Sequence, residues 1–231
     1  MTLRKPGGGT KSRILVIGVV AVLAMSLGGL YLFRQHEHAV QRAAAISRDN
    51  VLKTALADDA KYDAQADRAR RSFEATIALA SRAGTLRHDN AVSRNRSSSF
   101  QEKWARIERS AVEKADIASA AQMGAIARSL QVYEGLYGAD AVRGARTEAA
   151  NFREARSIQL AEWGSAIRGI VDLYRIDEEA DPIALQSLAD HYSKSEQNQI
   201  HADRFENALL TEETRLVKRI ADERRTLLTL R

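Results

Sequence analysis

Apolar positions in this chain follow two patterns. Ile14 to Phe33 reads ILVIGVVAVLAMSLGGLYLF, 20 residues without a charge. Beyond it, apolar residues recur every three, four or seven positions almost to the end. That spacing is the mark of helices that each bury one face.

The first amphipathic stretch runs from Arg34 to Ala83, with a stripe through Val40, Ala44, Val51, Ala55, Tyr62, Ala66, Ala69, Phe73, Ile77 and Ala80. Gly84 is its expected stop, and the polar residues 84–99 read as a loop. Asn95-Arg96-Ser97 inside that loop matches a glycosylation sequon, a pattern short enough to recur by chance. A second helix is expected from Ser98 or Ser99, with Glu102 completing a capping box behind Ser99. Its stripe is Phe100, Trp104, Ile107, Ala111, Ala115, Ala118, Ala125, Leu130, Tyr133 and Tyr137, and Gly135 and Gly138 close it. A third runs from Ala139 to Ile176 through Val142, Ala145, Ala149, Phe152, Gln159, Trp163, Ile167, Ile170 and Tyr174, with Gly164 placed for close packing beside Trp163. Asp181 as cap and Pro182 as first helical residue start the fourth. Its stripe is Leu185, Leu188, Tyr192, Ala202, Phe205, Leu209, Leu216, Ile220, Leu227 and Leu230. Ser195 and Gln199 fall where the period expects apolar side chains, so a register-setting polar layer or a small pocket is expected there.

No such helix is stable alone, and each must lay its stripe against another. The expected fold is all-α: an elongated antiparallel four-helix bundle, a coiled-coil rod, following one N-terminal transmembrane helix. The first and fourth helices would span ~75 Å and the middle two ~55 Å. Loops 84–99 and 177–181 would then share the far tip.

The uncharged run spans ~30 Å as a helix, the thickness of a bilayer core. Arg4, Lys5, Lys11 and Arg13 precede it without an acid, whereas Arg34 and Arg42 follow it with Glu37 between them. The positive-inside rule makes residues 1–13 a cytoplasmic tail, 14–33 the anchor and 34–231 the extracytoplasmic part. Arg13, Tyr31, Phe33 and Arg34 are the residues expected at the membrane interfaces. A cleaved signal peptide fits less well: its apolar region is shorter, and the small residues Ala43–Ala45 lie too far downstream. Ala24-x-x-x-Gly28 has the small-x-x-x-small spacing that lets two membrane helices approach.

Composition narrows the chemistry. The absence of Cys among 231 residues excludes a disulfide scaffold, an iron–sulfur cluster, a Cys-ligated zinc site and a thiol nucleophile. The 35 Lys and Arg against 30 Asp and Glu raise the pI to about 9.6, but four of the cations lie in the leader, so the remainder is nearly balanced. A nucleic-acid partner is not expected, because a binder carries its basic excess on the folded part. His36-Glu37-His38 invites a metal reading, yet residues two apart on a helix point roughly 200° apart. No phosphate loop, dinucleotide fingerprint, Glu-x-x-His pair or nucleophile elbow occurs. No cofactor, metal site or enzymatic activity is expected.

Two charged regions remain as docking candidates. At the expected tip, Arg87, Arg94 and Arg96 on one loop would lie beside Asp177, Glu178, Glu179 and Asp181 on the other: ordinary exposed charge pairing is the first reading, and a bipolar surface for an envelope partner the functional one. The basic, amphipathic C-terminal turns place Arg224, Arg225 and Arg231 either for contact with anionic lipid or as cations suited to the end of the helix macrodipole.

With its long outer helices and a first helix continuing from the span, residues 34–231 resemble in architecture the extracytoplasmic four-helix sensor domains of bacterial chemoreceptors and sensor kinases. That resemblance implies a ligand-sensing module, but such receptors add a second span and a cytoplasmic output domain, and this chain ends at Arg231. The expected function is a single-pass, membrane-anchored helical scaffold or adaptor subunit of a bacterial envelope complex. It would sit in the inner membrane with its C-terminal part in the periplasm, act by protein–protein contact with other envelope proteins, and self-associate. The alternative is a sensing module that regulates a neighbouring membrane protein.

Overall fold

The computed structural model describes the backbone of residues 9–92, 98–175 and 182–229, and the side chains of residues 33–88, 99–172 and 183–229. Four helices account for nearly all of it: α1 Gly9–Val92, α2 Ser98–Tyr137, α3 Ala139–Arg175 and α4 Pro182–Thr229. Among the described residues there is no strand. Only 2 Pro occur in the sequence, and Pro182 stands where it does no harm, at the first position of α4.

Two compact units divide the chain. One comprises Met1–Leu52 and Ala221–Arg231, the other Lys53–Ile220.

Within Lys53–Ile220, contacts between successive helices run in opposite directions. Asp59 of α1 meets Ser129 of α2, and Arg87 meets Glu108. On α2 and α3, Glu108 meets Trp163 and Glu134 meets Arg146. On α3 and α4, Glu162 meets His191 and Gln159 meets Ser195. The diagonal pair α2 and α4 is instead parallel: Glu108–Tyr192 and Gln122–Glu206 are both 84 residues apart. Antiparallel neighbours with parallel diagonals define an up-down-up-down four-helix bundle.

The core is unusually fine-grained. Among the described residues, alanine supplies 13 of the 28 buried apolar ones, so the helices can approach closely but each buried side chain contributes little transfer free energy. Phe73, Leu160 and Ile167 form the bulk of one cluster with Ala80, Ala111, Ala115 and Ala118. Inward positions repeat every seven residues, as coiled-coil packing requires. On α2, Gln101, Glu108, Ala115, Gln122 and Ser129 are all buried.

Gly138 alone separates α2 from α3. Its φ of 83° is open to glycine and costly for other residues, and its N–H donates to the Glu134 carbonyl at 2.8 Å. Gly84 does not stop α1, which continues to Val92. It is a close-approach residue instead: a Cβ there would lie 3.2 Å from Glu108 Oε1. Gly164 likewise does not serve an aromatic neighbour, since the only atom near its missing Cβ is Nη1 of Arg168, at 3.7 Å. These placements make two alanine substitutions diverge. At Gly144 the atom in the way belongs to Glu212, a half-buried side chain paired with exposed Arg215 and free to swing. Gly144→Ala is expected to raise stability by up to about 1 kcal/mol through helix propensity. Gly84→Ala is expected to lower it, because Glu108 is held by three donors and cannot retreat. Urea midpoints of the two variants check the opposite signs.

In the unit Met1–Leu52 with Ala221–Arg231, α1 and α4 are joined by ion pairs. Arg48 Nε lies 2.7 Å from Glu223 Oε1, and Arg224 Nε lies 2.8 Å from Asp49 Oδ1. Asp49 is fully buried, together with Ala45 and Leu52. The inward face here is therefore the one through residues 45, 49 and 52. Val40, Ala44 and Val51, expected to face inward, are exposed. The cause is a buried acid: Asp49 turns to Arg224 and carries its own face of the helix with it, which apolar counting alone does not anticipate.

Among the described residues no helix is long and apolar enough to cross a membrane. The side chains of the run 14–32 lie outside the described residues.

Candidate functional site

Three polar layers interrupt the core of the Lys53–Ile220 bundle, and each gathers residues from several helices. The first centres on Glu108, whose side chain is 1% exposed. Trp163 Nε1 donates to its Oε1 at 2.8 Å and the Tyr192 hydroxyl to the same oxygen at 3.2 Å. Arg87 Nε donates to Oε2 at 3.4 Å, and its Nη2 donates to the Tyr192 oxygen at 3.1 Å. Gln101 Nε2 donates to the Arg87 carbonyl at 3.3 Å. One carboxylate thus collects a side chain from each of the other three helices. Burial and the neighbouring Glu108 charge push the Tyr192 hydroxyl well above its usual range, so it remains a donor.

The second layer is built on Arg156 of α3. Its guanidinium lies over the rings of Phe73, 4.2 Å from the centroid, and Phe152, 5.2 Å away. Such cation–π stacking suits a largely desolvated Arg. Nη1 donates to Gln159 Oε1 at 2.9 Å, while Asp203 and Glu206 stand 3.5 and 3.8 Å from Nη2. Burial lowers the Arg156 pKa, and these two acids act against that shift. Gln122 Nε2 donates to Glu206 at 2.8 Å, and Ser195 Oγ to the Gln159 carbonyl at 3.0 Å. Of the two polar positions singled out on the fourth stripe, Ser195 is buried in this layer and Gln199 is exposed.

The third layer is acidic. Asp59, 5% exposed, accepts hydrogen bonds of 2.5 Å from both Ser129 Oγ and the Tyr133 hydroxyl. Burial, then the bond to Asp59, raises the Tyr133 pKa far above normal. Asp59, Asp63 and Tyr133 line a cavity of about 220 Å³ with Leu210, Glu213, Thr214 and Val217. Desolvation and the neighbours Asp63, Asp59 and Glu206 push the Glu213 carboxyl up to about 7. Desolvation with Asp59 and Asp67 lifts Asp63 to about 6. Among the described residues, no group of three or more His, Cys, Asp or Glu is placed to hold a metal ion. What this arrangement can do chemically is take up and release protons near neutrality.

Of the seven residues expected at the tip, the structure describes Arg87 alone. Arg87 is 8% exposed and committed to Glu108 inside the bundle, because α1 runs through the segment expected to be a loop. Arg94, Arg96, Asp177, Glu178, Glu179 and Asp181 lie outside the described residues, as do Arg231 and the side chains of Arg13 and Tyr31. Phe33 is 62% exposed and Arg34 is exposed too. Arg224 is bound to Asp49, whereas exposed Arg225 pairs with Asp222 only at 3.6 Å.

The apolar stripes leave Glu108, Arg156 and Asp59 out, yet α2 carries a signal for all three layers. Gln101, Glu108, Gln122 and Ser129 repeat at multiples of seven in step with Ala115. Polar residues in phase with a stripe point inward.

No protein-family model, curated protein or solved structure matches the chain.

Proposed function

We propose that the protein is a single-pass membrane-anchored helical scaffold or adaptor of a bacterial envelope complex, with residues 14–33 in the inner membrane and the helical bundle in the periplasm. The observation that carries this reading is the continuity of α1. One unbroken helix, Gly9–Val92, contains both the uncharged run and the first helix of the bundle. A helix that is both anchor and scaffold tethers the bundle to the bilayer. The three polar layers support the scaffold role, since polar side chains inside a helical core specify its register.

Two measurements test the proposal. Membranes holding the full chain are washed with alkaline carbonate. The chain is expected to stay in the pellet, and a variant lacking residues 1–33 to leave it; release of the full chain overturns the anchor. Photoreactive residues replacing Arg94 and Asp181 are then crosslinked in membranes of the native host. A reproducible product with another envelope protein is expected, and none at either site overturns the adaptor role.

A further inference from the structure

Apolar burial is shared unequally among the helices of the Lys53–Ile220 unit. On α2, ten apolar side chains are buried between Ala105 and Tyr133. On α4 the buried ones are Ala202, Leu209, Leu216 and Ile220, and Ala202 stands alone from Ile183 to Ala208. Ile183, Leu185 and Ile200 are exposed. With so little apolar area to hold it, this stretch of α4 depends on its polar contacts. Two of those contacts change with protons.

His191 Nδ1 of α4 lies 2.5 Å from Glu162 Oε2 of α3, both side chains half-buried. A histidine gains charge in mild acid, and a charged ring holds a carboxylate more firmly than a neutral one. Beside it, Tyr192 turns to Glu108 of α2 and Arg87 of α1. Further along α4, Glu213 shares the cavity of about 220 Å³ with Asp59 and Asp63 of α1 and Tyr133 of α2, and Glu206 of its own helix adds another negative charge. Asp67 adds to the charge at Asp63. Cations of the same helices are engaged elsewhere: Arg128 with Tyr62 and Gln65, Arg215 with Glu212, and Arg219 with the Tyr137 ring. Ionised carboxylates therefore repel between α1 and α4, and a proton on Glu213 removes that repulsion.

We infer that α4 is a proton-operated latch from His191 to Glu213. In mild acid it is clamped to α3 at His191 and freed of repulsion from α1 at Glu213. As pH rises past neutrality both holds weaken together, and this stretch opens while the other helices of the unit stay folded. Glu213, at about 7, and Asp63, at about 6, lose their protons over that rise, so their contribution to closure is lost with it. Between the two ends, Asp203 and Glu206 pair with Arg156 as charged groups, which confines the closed state to mild rather than strong acid. The latch goes beyond the scaffold reading and does not depend on the anchor.

Hydrogen exchange of the full chain in detergent micelles tests it, read by mass spectrometry at pH 5.5 and pH 8 and corrected for the intrinsic effect of pH on exchange. Protection over residues 186–217 is expected to fall roughly tenfold or more relative to residues 105–133 of α2. Asp63→Asn, His191→Gln and Glu213→Gln combined leave a neutral hydrogen-bonding side chain at each position, and the fall is expected to shrink to about threefold or less. Equal loss of protection in α2 and α4 overturns the inference, because the unit then responds as a whole. Unchanged protection in the unmodified chain overturns it too, and that comparison needs no variant to fold. A folded triple variant that keeps the full fall removes these three side chains as its cause.

Discussion

Glu108→Ala is expected to lower the unfolding free energy by about 3–5 kcal/mol, the largest effect of any single substitution considered. The truncation deletes the acceptor of Trp163 and Tyr192 and strands the Arg87 guanidinium, whose side chain is 9% exposed. A buried donor without an acceptor costs its full desolvation penalty, and a buried charge costs more. With domain stabilities of about 5–15 kcal/mol, the single variant stands near the edge of folding. The companion test separates loss of a partner from loss of packing. Replacing Arg87 and Glu108 together by Leu removes both charges, and apolar replacement of a buried pair is often neutral. The double variant is therefore expected to recover the part of the loss that comes from the Arg87 charge, while the Trp163 and Tyr192 donors still lack their acceptor. Urea midpoints with an unchanged slope are the measurement. A Glu108→Ala cost below about 1 kcal/mol, the range of an exposed ion pair, would remove Glu108 from its place at the centre of the layer.

The acidic layer predicts a stability that depends on pH in an uncommon direction. A carboxyl whose folded pKa is raised favours the folded state when protonated. Glu213 moves from 4.5 to about 7 on folding. Between those values the folded chain binds more protons than the unfolded one, so this group's contribution falls as pH rises through that window. Its destabilisation is complete above pH 7 and absent below 4.5. The groups facing it are Asp59 and Asp63 on α1, Tyr133 on α2 and Glu206 on α4. Glu213→Gln is expected to stabilise the protein by about 2 kcal/mol at pH 8 and to change little at pH 4.5. Asp63→Asn acts in the same sense but less, because that side chain is exposed. Unfolding midpoints at the two pH values check the sign; equal gains at both would mean that the variant acts through packing.

Much of this fold was legible from period alone. The ends of α2 and α3 fall within a residue of where caps, Gly138 and the periodicity place them. On α2 the stripe residues from Ala111 through Tyr133 are buried as expected. The reading failed where polar side chains face inward. Asp49 and Asp59 sit on the buried face of α1, so a stripe drawn through apolar residues drifts onto Val40, Ala44 and Val51. Gly84 reads as a stop because a glycine after an amphipathic run usually is one. Its reason is a carboxylate on another helix, which no local pattern can display. Arg87 was grouped with the tip cations by nearness in sequence, and only the extension of α1 past Gly84 turns it inward. Long-range partners such as Glu108 with Tyr192 carry no local signature beyond their heptad phase.

The Trp163 hydrogen bond to Glu108 has an optical consequence. The chain holds 2 Trp. Trp163 is tied to the Glu108 carboxylate, and Trp104 lies one turn before Glu108 on α2, its ring 6.0 Å from that of Phe100. Both indoles report on the Glu108 layer, while the acidic layer near Asp59 holds only tyrosine. Intrinsic fluorescence and helical circular dichroism therefore sample different parts of the bundle. Coincident melting curves would show that the two layers unfold as one cooperative unit. An early fluorescence transition would show the Glu108 layer opening while the acidic layer still holds.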